Sequence, residues 1–499
     1  MATQHPDNAS APWWRQDAFV PTADEIDELL LLFKDLPIDE YMWDWEGKYV
    51  DESVGEKLFS RAQEFFTAHP LGESFHLTYR IPAWAGGKLH RMARAFMNIL
   101  SLADLAKDIG LPRPPVTEMF LPLTTSAEQP IQARKAFADV AEYHRSIFHQ
   151  STASEHSILD LISMTPLVED IDSLFSIERI LEPYWSSLPP PEHGRGRRIF
   201  LARSDPAMNS GLVPAVLAVK AALSTVSQLA EKFSVDVCPI LGTGSLPFRG
   251  SVNPSYTETF LAQYAGTRTY SIQSAFRYDY PLDEVKEALA VIHRETPKRK
   301  TVEMSGGDRR KLRELADAFE GFWKPTIESL AEVINAVAAH VPARRERLLH
   351  IGLFGYSRGV GKVRLPRAIG FTAALYSLGI PPELIATGRG LKVARERGML
   401  DLIEKYYPAL REDLKHAGKY LNRENVDLLA RRYPAFEEVK DGIGAIEEIF
   451  NIELGPEKPR HIIHRNITST IFHRLHGEGG KEELTDDIVQ AGVLRCSLG

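Results

Sequence analysis

The chain has 499 residues and a mass of 56.0 kDa, with 59 Lys and Arg against 67 Asp and Glu, 44% hydrophobic residues and two cysteines. Abundant aliphatic and aromatic residues exclude a chain that is disordered as a whole. The net charge of −8 and pI near 6.1 exclude a general attraction to nucleic acid or anionic membrane, so anions must be met at local basic clusters.

The opening MATQHPDNASAPWWRQD is polar and carries no apolar leader, and the longest apolar runs, such as Leu29 to Phe33, are too short to span a bilayer. Cys238 and Cys496 stand alone and far apart, which is neither a disulfide framework nor a metal pair and fits a reducing, cytoplasmic setting. His5, in TQHPDN (Thr3 to Asn8), reads as a mobile surface residue by position, although the neighbouring Pro and the pair Trp13, Trp14 hint at a docked segment.

From there the chain alternates short apolar or β-branched runs with long helical stretches. Eight runs are expected as strands: Tyr41 to Glu46, Phe75 to Arg80, Glu118 to Leu123, Leu161 to Glu169, Arg198 to Arg203, Val235 to Gly242, Arg268 to Gln273 and Leu349 to Gly355. Helices are expected between them, for example Leu89 to Ile109, Pro130 to Gln150, Val213 to Phe233 and Arg309 to Val341. Eight strand-helix units predict an α/β fold, a TIM-type (β/α)8 barrel with its active site at the strand C-termini. The chain reads as one domain over residues 1–499, with the barrel strands within 41–355 and a helical C-terminal extension over 368–499. The Pro-rich, basic stretch Leu188 to Arg198 reads as an exposed loop rather than a domain boundary.

Polar residues after the runs are the candidates for chemistry. PLVEDIDSL and ARSDPAMNSG put Glu169 and Asp205 at neighbouring strand ends, a pair of hard oxygen ligands suited to Mg²⁺ or Mn²⁺; for Asp205, before Pro206, a helix N-cap is the competing role. GTGSLPFRGSVNP surrounds Arg249 with small residues that let backbone N–H groups approach an anion, a pattern an ordinary barrel loop also shows. After the eighth run, Arg358, Lys362, Arg364 and Arg367 precede a strongly apolar helix from Ala368. Cations there have the wrong sign for a helix N-terminus, so either a bound anion or surface acids must offset them. Arg80 closes the second run, as an anion ligand or as half of a structural ion pair.

Taken in order, TQHPDN, YMWDWEGKYVDE, PLVEDIDSL, ARSDPAMNSG, PFRGSVNP, YSRG, LPRAIGF and IVQAGVLRCSLG resemble motifs of phosphoenolpyruvate carboxylase, and of its short archaeal-type form over essentially the whole length. The resemblance implies an anaplerotic carbon-dioxide-fixing carboxy-lyase that joins phosphoenolpyruvate and bicarbonate to give oxaloacetate and phosphate by way of carboxyphosphate and pyruvate enolate. It implies His5, Arg249 and Arg367 as catalytic, Arg80, Arg358, Lys362 and Arg364 as substrate-binding, Glu169 and Asp205 as ligands of Mg²⁺ (or Mn²⁺), and Arg495 close to the site. It further implies a cytoplasmic homotetramer with no nucleic-acid or membrane partner. The longer family members carry a His and an Arg in the glycine-rich stretch before the catalytic-loop Arg. LGTGSL stands there in this chain, so phosphate contacts must be redistributed. Two alternatives share these residues: a Mg²⁺-dependent barrel lyase or aldolase acting on a pyruvate enolate, and a catalytically inactive barrel that only binds.

Overall fold

The computed structural model describes residues 1–84, 89–148, 162–191, 196–346, 359–360, 363–477 and 480–499. Eight parallel strands form one curled sheet in sequence order: β1 (Ala2–Thr3), β2 (Glu40–Asp44), β3 (His76–Arg80), β4 (Val116–Leu121), β5 (Ser163–Val168), β6 (Arg197–Ala202), β7 (Val237–Gly242) and β8 (Thr269–Tyr270). Parallel neighbours need long crossovers, and helices supply them, including Leu89–Asp108, Glu128–Phe148 and Leu212–Phe233. No ladder joins β8 to β1. Past the end of β8 a single parallel bridge joins Ala2 to Ile272, where Thr3 N–H donates to Ile272 O (3.2 Å) and Ile272 N–H to Met1 O (2.8 Å).

Seven of the eight strands lie where the apolar runs predict them. The eighth expected run, Leu349 to Gly355, lies outside the described residues, and the described sheet takes its eighth strand from Ala2–Thr3 instead. Two residues carry no periodicity, so this strand was invisible to pattern reading. The opening segment is therefore no mobile tail: Thr3, Gln4, Asp7 and Asn8 are all buried.

Because successive strand residues face opposite ways, residues two apart share the inner face and stack in layers along the sheet axis. On β2 these are Glu40, Met42 and Asp44; on β5 and the residue after it, Thr165, Leu167 and Glu169; on β6, Arg198, Phe200 and Ala202. The lowest layer is polar: Arg198 pairs with both Glu40 (2.9 Å) and Glu118, and Thr165 bonds Glu118. The middle layer is apolar and holds Met42, Phe120, Leu167, Phe200 and Ile240. The upper layer opens into the candidate site.

Outside the sheet, the described residues from Ala368 onward are mostly helical, the last helix being Leu484–Arg495. Leu212–Phe233 is long and apolar enough to cross a membrane, yet 89% of its apolar window is buried against the body, as expected of a core helix. The stretch Leu188 to Arg198 is not all loop, since Arg197 and Arg198 open β6.

Candidate active site

At the C-terminal ends of the strands lies a cavity of about 100 Å³, sized for a small acid rather than a nucleotide. Its wall includes His5, Arg80, Glu169, Asp205, Arg249 and Arg367, six side chains that sequence reading singled out from segments spread over more than 360 residues. Each arrives by its own local route. Glu169 follows directly on β5 and is only 7% exposed, with its Oε2 accepting the Leu123 N–H at 2.9 Å. Leu123 has φ 54°, the left-handed region that costs a non-glycine residue energy, and that turn directs its N–H at Glu169. Asp205 sits inside the first turn of the helix Ser204–Ser210, whose N-cap is Arg203, so the N-cap role does not apply to it.

Arg249 is the most enclosed of the cations. It occupies a single 3-10 turn, Pro247–Arg249, and is 1% exposed. Asp7 accepts from its Nη1 at 3.1 Å, Gln273 from its Nη2, and the carbonyl oxygen of Gly499 from Nη1. Burial lowers its pKa, and the adjacent Asp7 charge restores part of the loss. Gly244 lets the guanidinium lie flat against the backbone, because a Cβ there would come 2.6 Å from Arg249 Cζ.

The turn that carries Arg249 is clamped from behind. Arg203, 0% exposed, donates to Phe248 O (3.0 Å) and to Tyr264 Oη (3.0 Å). Glu383 accepts the Phe248 N–H and the Tyr376 hydroxyl, each at 2.7 Å, while Asp413 accepts from Ser251 Oγ at 2.7 Å and Tyr407 Oη at 2.6 Å. Burial pushes Glu383 up to about 7 and Asp413 up to about 6, outweighing the hydrogen bonds that favour their anions.

On the opposite wall Arg80 grips Asp44 with two donors, Nε to Oδ1 at 2.8 Å and Nη2 to Oδ2. Arg80 is thus half of an ion pair, as one of its two sequence readings has it, and it also lines the cavity. Burial pushes the Asp44 carboxyl upward, but the Arg80 charge and hydrogen bonds overcome it and hold Asp44 far below the usual carboxylate range. A Cβ on Gly47 would lie 2.9 Å from Asp44 Oδ2, 3.2 Å from Arg367 Nη1 and 3.3 Å from Arg80 Nη2, so this glycine keeps open the place where both guanidinium groups converge. Arg367 itself is the N-cap residue of the helix Ala368–Ser377. His5 follows two residues after β1, its Nδ1 3.0 Å from Thr3 Oγ1 and its carbonyl oxygen accepting from Ser274 Oγ at 2.9 Å.

Arg364 is exposed on the short strand Val363–Arg364 and does not line this cavity; Arg358 and Lys362 lie outside the described residues. Arg495 is buried one step back, where it donates to Leu498 O and faces His464 Nε2 at 3.2 Å. It thereby holds the strand of chain whose next residue, Gly499, contacts Arg249. Sequence reading missed Asp7, Asp44, Glu46 and Gln273, all in or against this cavity. The signal for Asp44 was available, since alternation along Tyr41 to Glu46 puts it on the inner face.

For a divalent metal the donor set is Glu169 and Asp205, two carboxylates that both line this cavity. Among the described residues no group of three His, Cys, Asp or Glu could hold a metal alone. Two carboxylates with the remaining positions left to water and substrate oxygens is the usual arrangement for Mg²⁺, and the residues present fit it.

A family model described as phosphoenolpyruvate carboxylase matches residues 1–499. The chain is 34% identical over 505 residues to a phosphoenolpyruvate carboxylase of Leuconostoc mesenteroides, covering 100% of this chain and 98% of that one. It is 38% identical to one of Metallosphaera sedula (100% and 99% covered) and 35% identical to one of Picrophilus torridus (100% and 98%).

Proposed function

The chain belongs to the phosphoenolpyruvate carboxylase family and is a carboxy-lyase of that activity, and from that premise we propose which of its residues carry the reaction. The observation behind the assignment is the convergence of His5, Arg80, Glu169, Asp205, Arg249 and Arg367 on one small cavity. Every species on the route except CO₂ is an anion: bicarbonate oxygen attacks phosphorus, the bond to the enol oxygen breaks, carboxyphosphate releases CO₂ and leaves phosphate, and the enolate methylene carbon captures the CO₂ as oxaloacetate.

Arg80 and Arg367 hold the phosphate, directing forked donors at pairs of its oxygens; Arg358 and Lys362 keep the substrate-binding role that the resemblance assigns them, and Arg364, which does not line the cavity, is left out of the binding set. Arg249 neutralises bicarbonate and then carboxyphosphate, its direction fixed by Asp7, Gln273 and Gly499 before substrate arrives. Such a preset donor keeps CO₂ beside the enolate and spends no reorganisation energy during the step. His5 takes the proton from carboxyphosphate, a role suited to an imidazole near neutral pH. Mg²⁺ or Mn²⁺ held by Glu169 and Asp205 would supply Lewis-acid stabilisation of developing negative charge. Arg495 is a positioning residue, acting on Arg249 through Leu498 and Gly499.

The curled eight-stranded sheet with its Ala2 to Ile272 bridge supports a TIM-type barrel for the fold. A single domain, a cytoplasmic homotetramer and an anaplerotic role complete the proposal. The deciding assay supplies purified protein with phosphoenolpyruvate, Mg²⁺ and bicarbonate and follows oxaloacetate and phosphate together. Equal yields that both vanish without bicarbonate support the assignment; product without bicarbonate would favour the aldolase or lyase reading, and no product the inactive binder.

A further inference from the structure

At the other end of the sheet, below the polar layer, lies a second and larger cavity of about 710 Å³ at the N-terminal ends of the strands. Five arginines line it, Arg113, Arg134, Arg197, Arg198 and Arg268, against three glutamates, Glu40, Glu73 and Glu118. In a chain of net charge −8 this local excess of cations is an inversion. Two of the glutamates are already committed, because Arg198 pairs with both Glu40 and Glu118; the third, Glu73, is exposed.

Arg113, Arg134 and Arg197 have no carboxylate partner among the described residues. Arg197 donates one Nη2 bond to Pro189 O at 2.9 Å, while its Nε is buried and has no hydrogen-bond partner among the described residues. Burial lowers its pKa, Tyr184 beside it raises it, and the neighbouring Arg134 lowers it, so the two guanidinium groups lie near enough to sense each other. Tyr184 lines the same cavity, its hydroxyl donating to Met164 O. Leaving a guanidinium nitrogen buried and unbonded is costly, and an anion in the cavity would repay it.

We propose that the cavity formed by Arg113, Arg134 and Arg197 at the N-terminal end of the sheet is a binding site for a compact dianion, a phosphate monoester or a dicarboxylate. Forked guanidinium donors suit the paired oxygens common to both groups. The volume admits a small metabolite with its waters. The apolar layer of Met42, Phe120, Leu167, Phe200 and Ile240 lies between this cavity and the catalytic one, so the two sites are separate.

The test is calorimetric titration of the full-length protein with glycerol 3-phosphate, with succinate, and with acetate as a monoanion control. Saturable one-to-one binding of either dianion, at least tenfold weaker in Arg134→Gln and unchanged in Arg249→Ala, is the expected result, since each lost charge-assisted bond costs about tenfold or more. Which dianion binds separates the two sources. Arg113→Gln, on the cavity rim, repeats the measurement should Arg134→Gln fail to fold by circular dichroism. Binding unaffected by the arginine variants, binding abolished by Arg249→Ala, equal binding of acetate, or no binding of either dianion would each overturn the site.

Discussion

Asp7 and Arg249 face each other at 3.1 Å with both side chains sealed from solvent, although 242 positions separate them in the chain. Removing one partner of a buried pair strands the other charge, which costs on the order of 3 kcal/mol. Asp7→Asn is expected to lower unfolding stability by about that amount and oxaloacetate turnover by tenfold or more, roughly the effect of misplacing one catalytic donor. Thermal denaturation and a malate dehydrogenase-coupled assay read both. An Asp7→Asn enzyme with normal turnover would show that Arg249 needs no anchor.

Arg249→Ala is expected to abolish oxaloacetate formation and leave only slow phosphate release from phosphoenolpyruvate, because CO₂ would no longer be held by the enolate. Following phosphate and oxaloacetate in parallel checks this. Undiminished carboxylation would remove Arg249 from the mechanism.

Glu383 makes stability fall with pH. In the unfolded chain its carboxyl ionises in the ordinary range near 4.3, whereas burial in the fold keeps it protonated up to about 7. A raised folded-state pKa in an acid means that the contribution is fully present below the unfolded value and is lost as pH rises to the folded one. Between pH 5 and 8 the loss from this group is about 3 kcal/mol. Glu383→Gln should flatten that slope in denaturant titrations at the two pH values; an unchanged slope would mean that Glu383 is ionised throughout.

Glu169→Gln should weaken Mn²⁺ binding by tenfold or more in calorimetry, the scale expected when a hard anionic ligand becomes a neutral amide. The Leu123 N–H can still be accepted by the amide oxygen, so the fold should stand. Unaltered Mn²⁺ affinity would refute the ligand role.

At Gly47, alanine would press a methyl carbon to within 3.3 Å of both Arg367 and Arg80. Gly47→Ala is expected to raise the KM for phosphoenolpyruvate several-fold and to lower the melting temperature slightly, since the added methyl also comes 2.9 Å from the Asp44 Oδ2 that Arg80 holds. A normal KM would place the phosphate elsewhere.

Much of this molecule was legible in its sequence because strand ends are chemical addresses. Once a run such as Leu161 to Glu169 is recognised, the polar residue that closes it points at the site, and Glu169, Arg80 and the Asp205 segment all arrive there. What escaped depended on partners remote in sequence. No pattern announces that Ala2–Thr3 is a strand, since its pairing residues Tyr41 and Met42 lie about forty positions away. Asp7 escaped for the same reason, being defined by Arg249 and Ala275. A deletion of residues 1–8 would accordingly remove a strand and a buried ion pair along with His5, so His5→Ala is the substitution that isolates the imidazole.

The alternation of Glu40, Met42 and Asp44 along β2 makes one strand serve two electrical environments. Four residues of parallel strand span about 13 Å, and the residue midway offers no charge, no proton and no path for water. The middle of the sheet therefore works as an insulator. Evolution can retune the arginines at one mouth without disturbing the other, and a protein with an overall negative charge can keep an arginine-rich chamber at one end of the sheet apart from the mixed arginines and carboxylates at the other.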